Sequence, residues 1–128
     1  MTYAKSFRDL EVYKLSRELA REIFQISKSF PKEETYSLTD QIRRSSRSVG
    51  AQISEAWAKR RYEKHFISKL TDAYGEQQET QHWLETAYDC NYVEKTTLKS
   101  LLNCYESVGK MINGMMSTSK LFCKILES

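Results

Sequence analysis

A repeat of apolar and small side chains between Phe66 and Ala87 constrains the fold of this chain most. These side chains recur at alternating steps of four and three, a spacing that keeps them on one face of an α-helix. The pattern predicts a long helix over residues 63–89 that packs along a coiled-coil-like seam, with polar residues at its middle. The seam consists of Phe66, Leu70, Ala73, Gln77, Thr80, Leu84 and Ala87.

The first helical segment has two apolar stripes. One recurs at steps of three and four, the period of a single helix face. The other lies about 100° round the helix axis. A helix with two such stripes is expected to be covered on two sides. The first stripe is Val12, Leu15, Leu19, Ile23 and Ile26, and the second is Tyr13, Ala20 and Phe24.

The scarcity of turn-forming residues excludes a strand-based architecture. The 128 residues contain four glycines and one proline, too few for a series of hairpins. A chain of this length favours one domain, over residues 1–128. We predict an all-α fold with helices at about 8–29, 37–61, 63–89 and 96–125. Short connectors join reversed neighbours, so the prediction is an antiparallel, up-down-up-down four-helix bundle.

The start of the second helix is predicted from its capping residues. Pro31 disfavours helix at Phe30, and Ser37 is followed three residues later by Asp40. This spacing is typical of an N-cap whose third helical residue reaches back with its carboxylate. We expect the helix to continue to about Arg61.

Positive charge is concentrated in residues 41–65. Seven Lys and Arg side chains stand there against Glu55 and Glu63, a net charge of +5, whereas the whole chain has +3 and the remainder therefore −2. We predict that these cations bind nucleic acid, since arginine and lysine neutralise phosphates. They are Arg43, Arg44, Arg47, Lys59, Arg60, Arg61 and Lys64.

Small side chains share a face of this helix with arginines. Counting about 100° per residue, Gly50, Ala51 and Ser54 lie opposite the apolar stripe, together with Arg43 and Arg47. In one interpretation this is an ordinary solvated face. In the other, the small residues let a second subunit approach while guanidinium groups bind phosphates or carboxylates. The predicted subunit interface comprises Tyr13, Phe24, Gly50, Ala51, Ser54 and Trp83.

Catalytic and metal-binding motifs are not expected. Glu79 and His82 match the Glu-x-x-His signature of di-iron bundles once, but such a site needs it twice. We therefore predict no metal, no cofactor, no small-molecule substrate and no enzymatic activity. The three cysteines form no Cys-x-x-Cys pair, and no run of 18 apolar residues occurs, so we expect a cytoplasmic protein without a membrane span.

Two stretches resemble a known family. "FRDLEVYKLSRELA" and "FPKEETYSLTDQIRRSSRSVGAQISEA" are similar to the bacterial four-helix-bundle family of the 23S rRNA intervening-sequence protein, also called S23, over about Phe7 to Ser117. The family usually has Ser-Ile-Pro-Ala-Asn-Ile-Ala-Glu-Gly where this chain has "SVGAQISEA", so Gly50, Gln52 and Ala56 depart from it.

The resemblance implies a non-enzymatic, basic, ring-shaped homopentamer associated with rRNA intervening sequences. A related group, the accessory variability determinant proteins of diversity-generating retroelements, binds a reverse transcriptase and its template RNA. Two functions are therefore expected: an RNA- or nucleic-acid-binding homo-oligomer, or an accessory scaffold for a reverse transcriptase. A bundle enzyme with a metal site is a third alternative, which elemental analysis of the purified protein would test.

Overall fold

The protein is all-helical, with four long helices. A computed structural model describes the backbone of residues 4–127 and the side chains of residues 4–123, and no strand occurs in that part of the chain. Short 3₁₀ turns at Phe7–Asp9 and Lys32–Glu34 precede the first two long helices. The helices are α1 (Glu11–Ser27), α2 (Leu38–Ala58), α3 (Glu63–Asp89), α4 (Lys95–Ser117) and the shorter α5 (Ser119–Glu127).

The seam predicted for the third helix is confirmed. All seven of its residues are buried, and α3 coincides with the predicted span of 63–89. In the middle of the seam the Thr80 hydroxyl donates to Ser45 Oγ on α2 at 2.9 Å, and Gln77 is also buried. Such pairing compensates the desolvation of the two hydroxyls, because a buried polar group without a partner costs about 1–3 kcal/mol.

The α1 and α2 helices pack closely through a glycine. A β-carbon on Gly50 would lie 3.3 Å from Ser16 Oγ and 3.5 Å from Tyr13 Cε1. The contact is possible because glycine has no side chain to separate the helices. Further along the same helix pair, Arg43 Nε donates to Ser27 Oγ at 2.7 Å. The second stripe of α1, represented by Tyr13 and Phe24, is half-buried.

Two predicted helix limits differ from the structure by three residues, and one predicted cap differs in its hydrogen bonds. The first helix begins at Glu11, because Ser6 and Asp9 cap a separate 3₁₀ turn. The second ends at Ala58 rather than near Arg61. The predicted capping box at its start is wrong: Ser37 makes no cap hydrogen bond and instead donates to Glu34 Oε1 at 2.6 Å.

The predicted fourth helix of 96–125 is two helices. It breaks at Thr118, and α5 packs back on the start of α3. The ring of Phe122 stacks on Phe66 with centroids 5.6 Å apart, and Ser119 Oγ donates to Glu63 Oε2 at 2.7 Å. These two contacts hold α5 against the start of α3.

No helix in the described part of the chain is both long enough and apolar enough to span a membrane.

Candidate nucleic-acid interface

The predicted basic residues form two groups at opposite ends of α2. Arg43, Arg44 and Arg47 lie in its first half and are here termed the N-terminal cluster. The C-terminal cluster follows the end of the helix at the turn into α3. Arg47 and Lys59, the facing members of the two clusters, are 12 residues apart, about 18 Å along the helix at roughly 1.5 Å per residue. The C-terminal cluster consists of Lys59, Arg60, Arg61 and Lys64.

Aromatic and hydroxyl groups hold the arginines of the N-terminal cluster. Arg43 is half-buried, and its Cζ lies 4.7 Å from the centroid of the Phe24 ring. Exposed Arg47 lies 5.5 Å from the same centroid, and the Lys28 ammonium 4.8 Å. Each cation is attracted to the ring quadrupole by about 0.5–1 kcal/mol where solvent has access. The Nε–H of Arg43 donates to Ser27, so the two terminal NH₂ groups of Arg43 are left for a ligand.

A cleft of about 440 Å³ adjoins the N-terminal cluster. It is lined by all three arginines, two threonine hydroxyls and one carboxylate: Thr35, Thr39, Asp40, Arg43, Arg44 and Arg47. Arg44 donates to Gln41 Oε1 at 3.0 Å and lies 3.9 Å from Glu79 Oε2. The charge of Arg44 is therefore partly compensated, whereas Arg43 and Arg47 form no ion pair among the described residues.

The C-terminal cluster contains one structural arginine and three exposed cations. Arg60 Cζ lies 3.5 Å from the centroid of the Trp57 ring, and its Nε donates to the Trp57 carbonyl at 2.8 Å. Burial lowers the pKa of Arg60. Lys59, Arg61 and Lys64 are exposed and have no ion pair within the part of the chain that is described.

The carboxylates near the C-terminal cluster are engaged elsewhere. Glu63 accepts the hydrogen bond from Ser119, and Glu55 pairs with Lys69 at 3.5 Å rather than with Lys59. The Glu55–Lys59 ion pair that an ordinary solvated helix face would form is therefore not observed. Among the described side chains, no carboxylate forms an ion pair with the exposed cations at this end of α2.

The predicted outward position of Gly50 is also wrong. Gly50 is buried, and the residues it meets belong to α1 of the same chain. Ala51 is exposed and Ser54 half-exposed. With Tyr13 and Phe24 these residues line a groove of about 600 Å³ between α1 and α2. Five of the six predicted interface residues are therefore at least partly accessible.

Two arginines of α1 line this groove and were not predicted. Arg17 and Arg21 are exposed on the groove side. Glu18 and Glu22 balance their charge along the sequence, so a count of net charge does not find them. Their spacing of four residues, in register with Tyr13, was the available indication.

Trp83 lies apart from the groove. Its Nε1 donates to Glu79 Oε2 at 3.0 Å, and its ring packs edge-on against His82 with centroids 4.6 Å apart. The side chain is half-buried. Its role in an interface stays a prediction.

Near Trp83, burial and the charge of Glu79 raise the pKa of Glu76.

Within the described residues, no three His, Cys, Asp or Glu side chains are grouped so that they could hold a metal ion.

The fold and the site define a helical bundle with two basic clusters at the ends of one helix. The model of the 23S rRNA-intervening sequence protein family matches residues 8–114, and the chain belongs to this family. A crystal structure of an S23 ribosomal protein family member of unknown function, from Bacteroides thetaiotaomicron, superposes with a TM-score of 0.74 at 30% identity. The match covers 83% of this chain and 95% of that one. No curated protein matches the chain.

Proposed function

We propose that this protein is a non-enzymatic, nucleic-acid-binding helical bundle. The observation that supports the proposal is the pair of basic clusters at the ends of α2. Five of their cations form no ion pair with any side chain between residues 4 and 123: Arg43, Arg47, Lys59, Arg61 and Lys64. Uncompensated cations destabilise a protein by mutual repulsion, and a polyanion relieves that cost. Phosphates also suit arginine, whose planar fork donates two parallel hydrogen bonds.

RNA is the nucleic acid that the family description favours, because the matching family is described by an rRNA intervening sequence. The family name alone does not establish a biochemical activity. The chemistry of the two clusters suits any phosphate backbone. We place the protein in the cytoplasm, where such an RNA is transcribed.

We infer further that the four long helices run up-down-up-down and that the bundle assembles into a ring-shaped homo-oligomer of five subunits. Antiparallel packing is supported by two contacts: Tyr13 lies beside Gly50, whereas Ser27 lies beside Arg43, so numbers rise on α1 as they fall on α2. The groove between α1 and α2 supports assembly, because half-buried aromatic rings in a concave surface suit a second copy.

Light scattering at micromolar concentration tests the assembly. The expected mass is a multiple of the 15.0 kDa chain, five for a pentamer. A mass equal to one chain would contradict the proposed oligomer and leave nucleic-acid binding to be judged separately.

Charge reversal at one exposed arginine of each cluster tests nucleic-acid binding. Arg47→Glu with Arg61→Glu is preferred to a change at Arg43, because Arg43 is bonded to Ser27 within the fold. We expect weaker RNA binding and a shallower dependence of log K on log salt, by roughly one unit for each lost phosphate contact. Fluorescence anisotropy with a labelled RNA between 50 and 200 mM salt, about the range where such slopes are measured, gives both quantities.

A control variant of equal charge separates contact from net charge. Lys99→Glu with Lys110→Glu changes two exposed lysines of α4 and alters the net charge by the same amount. Its affinity and slope should remain near those of the unchanged protein. Equal losses in both variants, or no loss in either, would contradict the assignment of contacts to α2.

A second candidate is an accessory scaffold for a nucleic-acid-bearing protein such as a reverse transcriptase. The aromatic lining of the α1–α2 groove favours it, since Tyr13 and Phe24 suit a protein surface as well as a second copy. Pull-down of the enzyme with and without nuclease distinguishes the two. Retention after nuclease treatment supports the scaffold, and loss supports nucleic-acid binding alone.

A further inference from the structure

Each basic cluster has an exposed tyrosine beside it. Tyr36 is 94% exposed and Tyr62 is 60% exposed, the largest and third-largest exposures recorded among large apolar side chains of the described residues. Tyr36 lies two residues before the start of α2, and Tyr62 follows its end at the turn into α3. An exposed aromatic ring contributes little to the fold, so these two rings are available to a ligand.

At the N-terminal end, the tyrosine adjoins the cleft of the arginines. Thr35, its neighbour in the chain, lines that cleft with Arg43 and Arg47. The Arg43 guanidinium is held by Ser27 and by the Phe24 ring. A phosphate in this cleft would meet preformed donors, and the adjoining base would lie within reach of the ring of Tyr36.

At the C-terminal end, the same combination recurs. The rings of Tyr62 and His65 have centroids 5.4 Å apart, and both side chains are exposed. Lys59, Arg61 and Lys64 surround them in the chain without an ion pair among the described residues. Aromatic faces among cations are therefore present at both ends of one helix.

The combination of exposed tyrosine rings and cations distinguishes single-stranded from double-stranded nucleic acid. In a duplex, the faces of internal bases are stacked on each other, and only the phosphates and groove edges are accessible. Unpaired bases expose their faces and stack on aromatic side chains, while cations track the backbone. A surface for duplex alone would gain nothing from exposed tyrosine rings at both clusters.

We propose that the protein binds single-stranded nucleic acid, with bases stacked on Tyr36 and Tyr62 and phosphates held by the adjacent cations. The proposal rests on the nucleic-acid binding proposed above and specifies its ligand. Stacking on a ring needs no 2′-hydroxyl, so RNA and DNA strands are both expected to bind. Neither tyrosine lines the α1–α2 groove, where the second copy is proposed to bind.

Binding is measured with a single-stranded RNA, a DNA of the same sequence, and the RNA as a duplex of equal length. We expect both single strands to bind more tightly than the duplex at equal salt. Replacing Tyr36 or Tyr62 by alanine should weaken single-strand binding by roughly tenfold each, because one stacked base contributes about that factor. The duplex affinity should change much less.

Conservative and control variants separate stacking from structure. Tyr36→Phe and Tyr62→Phe keep the ring and should retain single-strand affinity. Tyr88→Ala removes a tyrosine that is 36% exposed at the end of α3, where Glu85 and Asp89 are its neighbours. This control should bind single strands as the unchanged protein does.

The outcomes distinguish this proposal from the one on which it rests. Equal or tighter duplex binding, or unchanged single-strand affinity in both alanine variants, would overturn the stacking proposal while leaving nucleic-acid binding intact. If the tyrosines serve a protein partner instead, the alanine variants will retain full single-strand affinity. If no strand or duplex binds at low salt, both proposals fail.

Discussion

Substitution of Gly50 by valine tests which surface this glycine serves. The sequence pattern predicted an outward position in a subunit interface, but the structure packs Gly50 against α1 of the same chain. If Gly50 packs on α1 of its own chain, Gly50→Val must act on folding stability. If a second subunit approaches at Gly50, the variant must act on assembly first.

The expected size follows from the local geometry. A β-carbon at position 50 would lie 3.3 Å from Ser16 Oγ and 3.5 Å from Tyr13 Cε1, before the two methyl groups of valine are added. Overpacking of this kind costs about 1–3 kcal/mol. Replacing a helical glycine by valine returns roughly 0.4 kcal/mol of helix propensity. The net loss is therefore about 0.6–2.6 kcal/mol, which lowers the Tm by roughly 4 °C per kcal/mol for a chain of this length.

Gly75→Val provides the matched control. Gly75 is also within a long helix, but a β-carbon there would have no heavy atom within 4 Å. This variant has the same change in propensity without the contact, so its stability should stay equal or rise by about 0.4 kcal/mol. Thermal and urea unfolding at one fixed protein concentration measure both variants, since assembly makes the Tm depend on concentration.

Light scattering on the same samples completes the test. We expect Gly50→Val to keep the mass of the unchanged protein below its lowered Tm. A variant with an unchanged Tm that dissociates into single chains would refute the packing of Gly50 on its own α1. It would return this residue to the subunit interface.

Three further perturbations have expected outcomes. Thr80→Val removes the hydroxyl that donates to buried Ser45, and it should cost about 1–2 kcal/mol in urea unfolding; no loss would mean that the pair is not formed. Ser37 and Tyr92 donate hydrogen bonds to Glu34, and these bonds lower the pKa of the Glu34 carboxyl. The bond between Tyr92 and Glu34 also raises the pKa of Tyr92 to about 12. Stability from the lowered Glu34 pKa is present above its ordinary value of 4.5 and is lost as the pH falls below it. Tyr92→Phe should raise the Glu34 pKa toward 4.5 in a carboxyl NMR titration, and an unchanged titration would contradict the contact. Phe122→Ala should release α5 and speed its proteolysis, with a loss of about 1–2 kcal/mol because the ring is only half-buried; unchanged cleavage would show that this ring does not hold α5.

Periodicity predicted the interior of the fold better than its ends. The step of four and three identified every buried residue of the seam from Phe66 to Ala87, because burial along a long helix depends on one face and one period. The break at Thr118 has no comparable indication, since the apolar period continues through Phe122. The contacts that α5 makes after the break, such as Phe122 on Phe66, join residues far apart in the sequence and are formed only in the folded chain.

The basic site was predicted in composition but not in arrangement. A count of charges found the seven cations of residues 41–65, yet it could not show that Arg60 stacks on Trp57 or that Arg43 bonds to Ser27. Those contacts depend on side chains brought together by folding. The arginines of α1 were missed because adjacent glutamates cancel them in any count along the sequence.

The close packing of α1 explains why no cation occurs on the α1-facing side of α2 at its middle. Gly50 lies against Ser16 and Tyr13, and a long side chain at that position would separate the helices. Arg47 is the last cation before this stretch, and Lys59 is the first after it. Small residues and arginines therefore occur in one segment for different reasons. Gly50 sets the distance between two helices of one subunit, whereas the exposed cations on either side of it are open to a ligand.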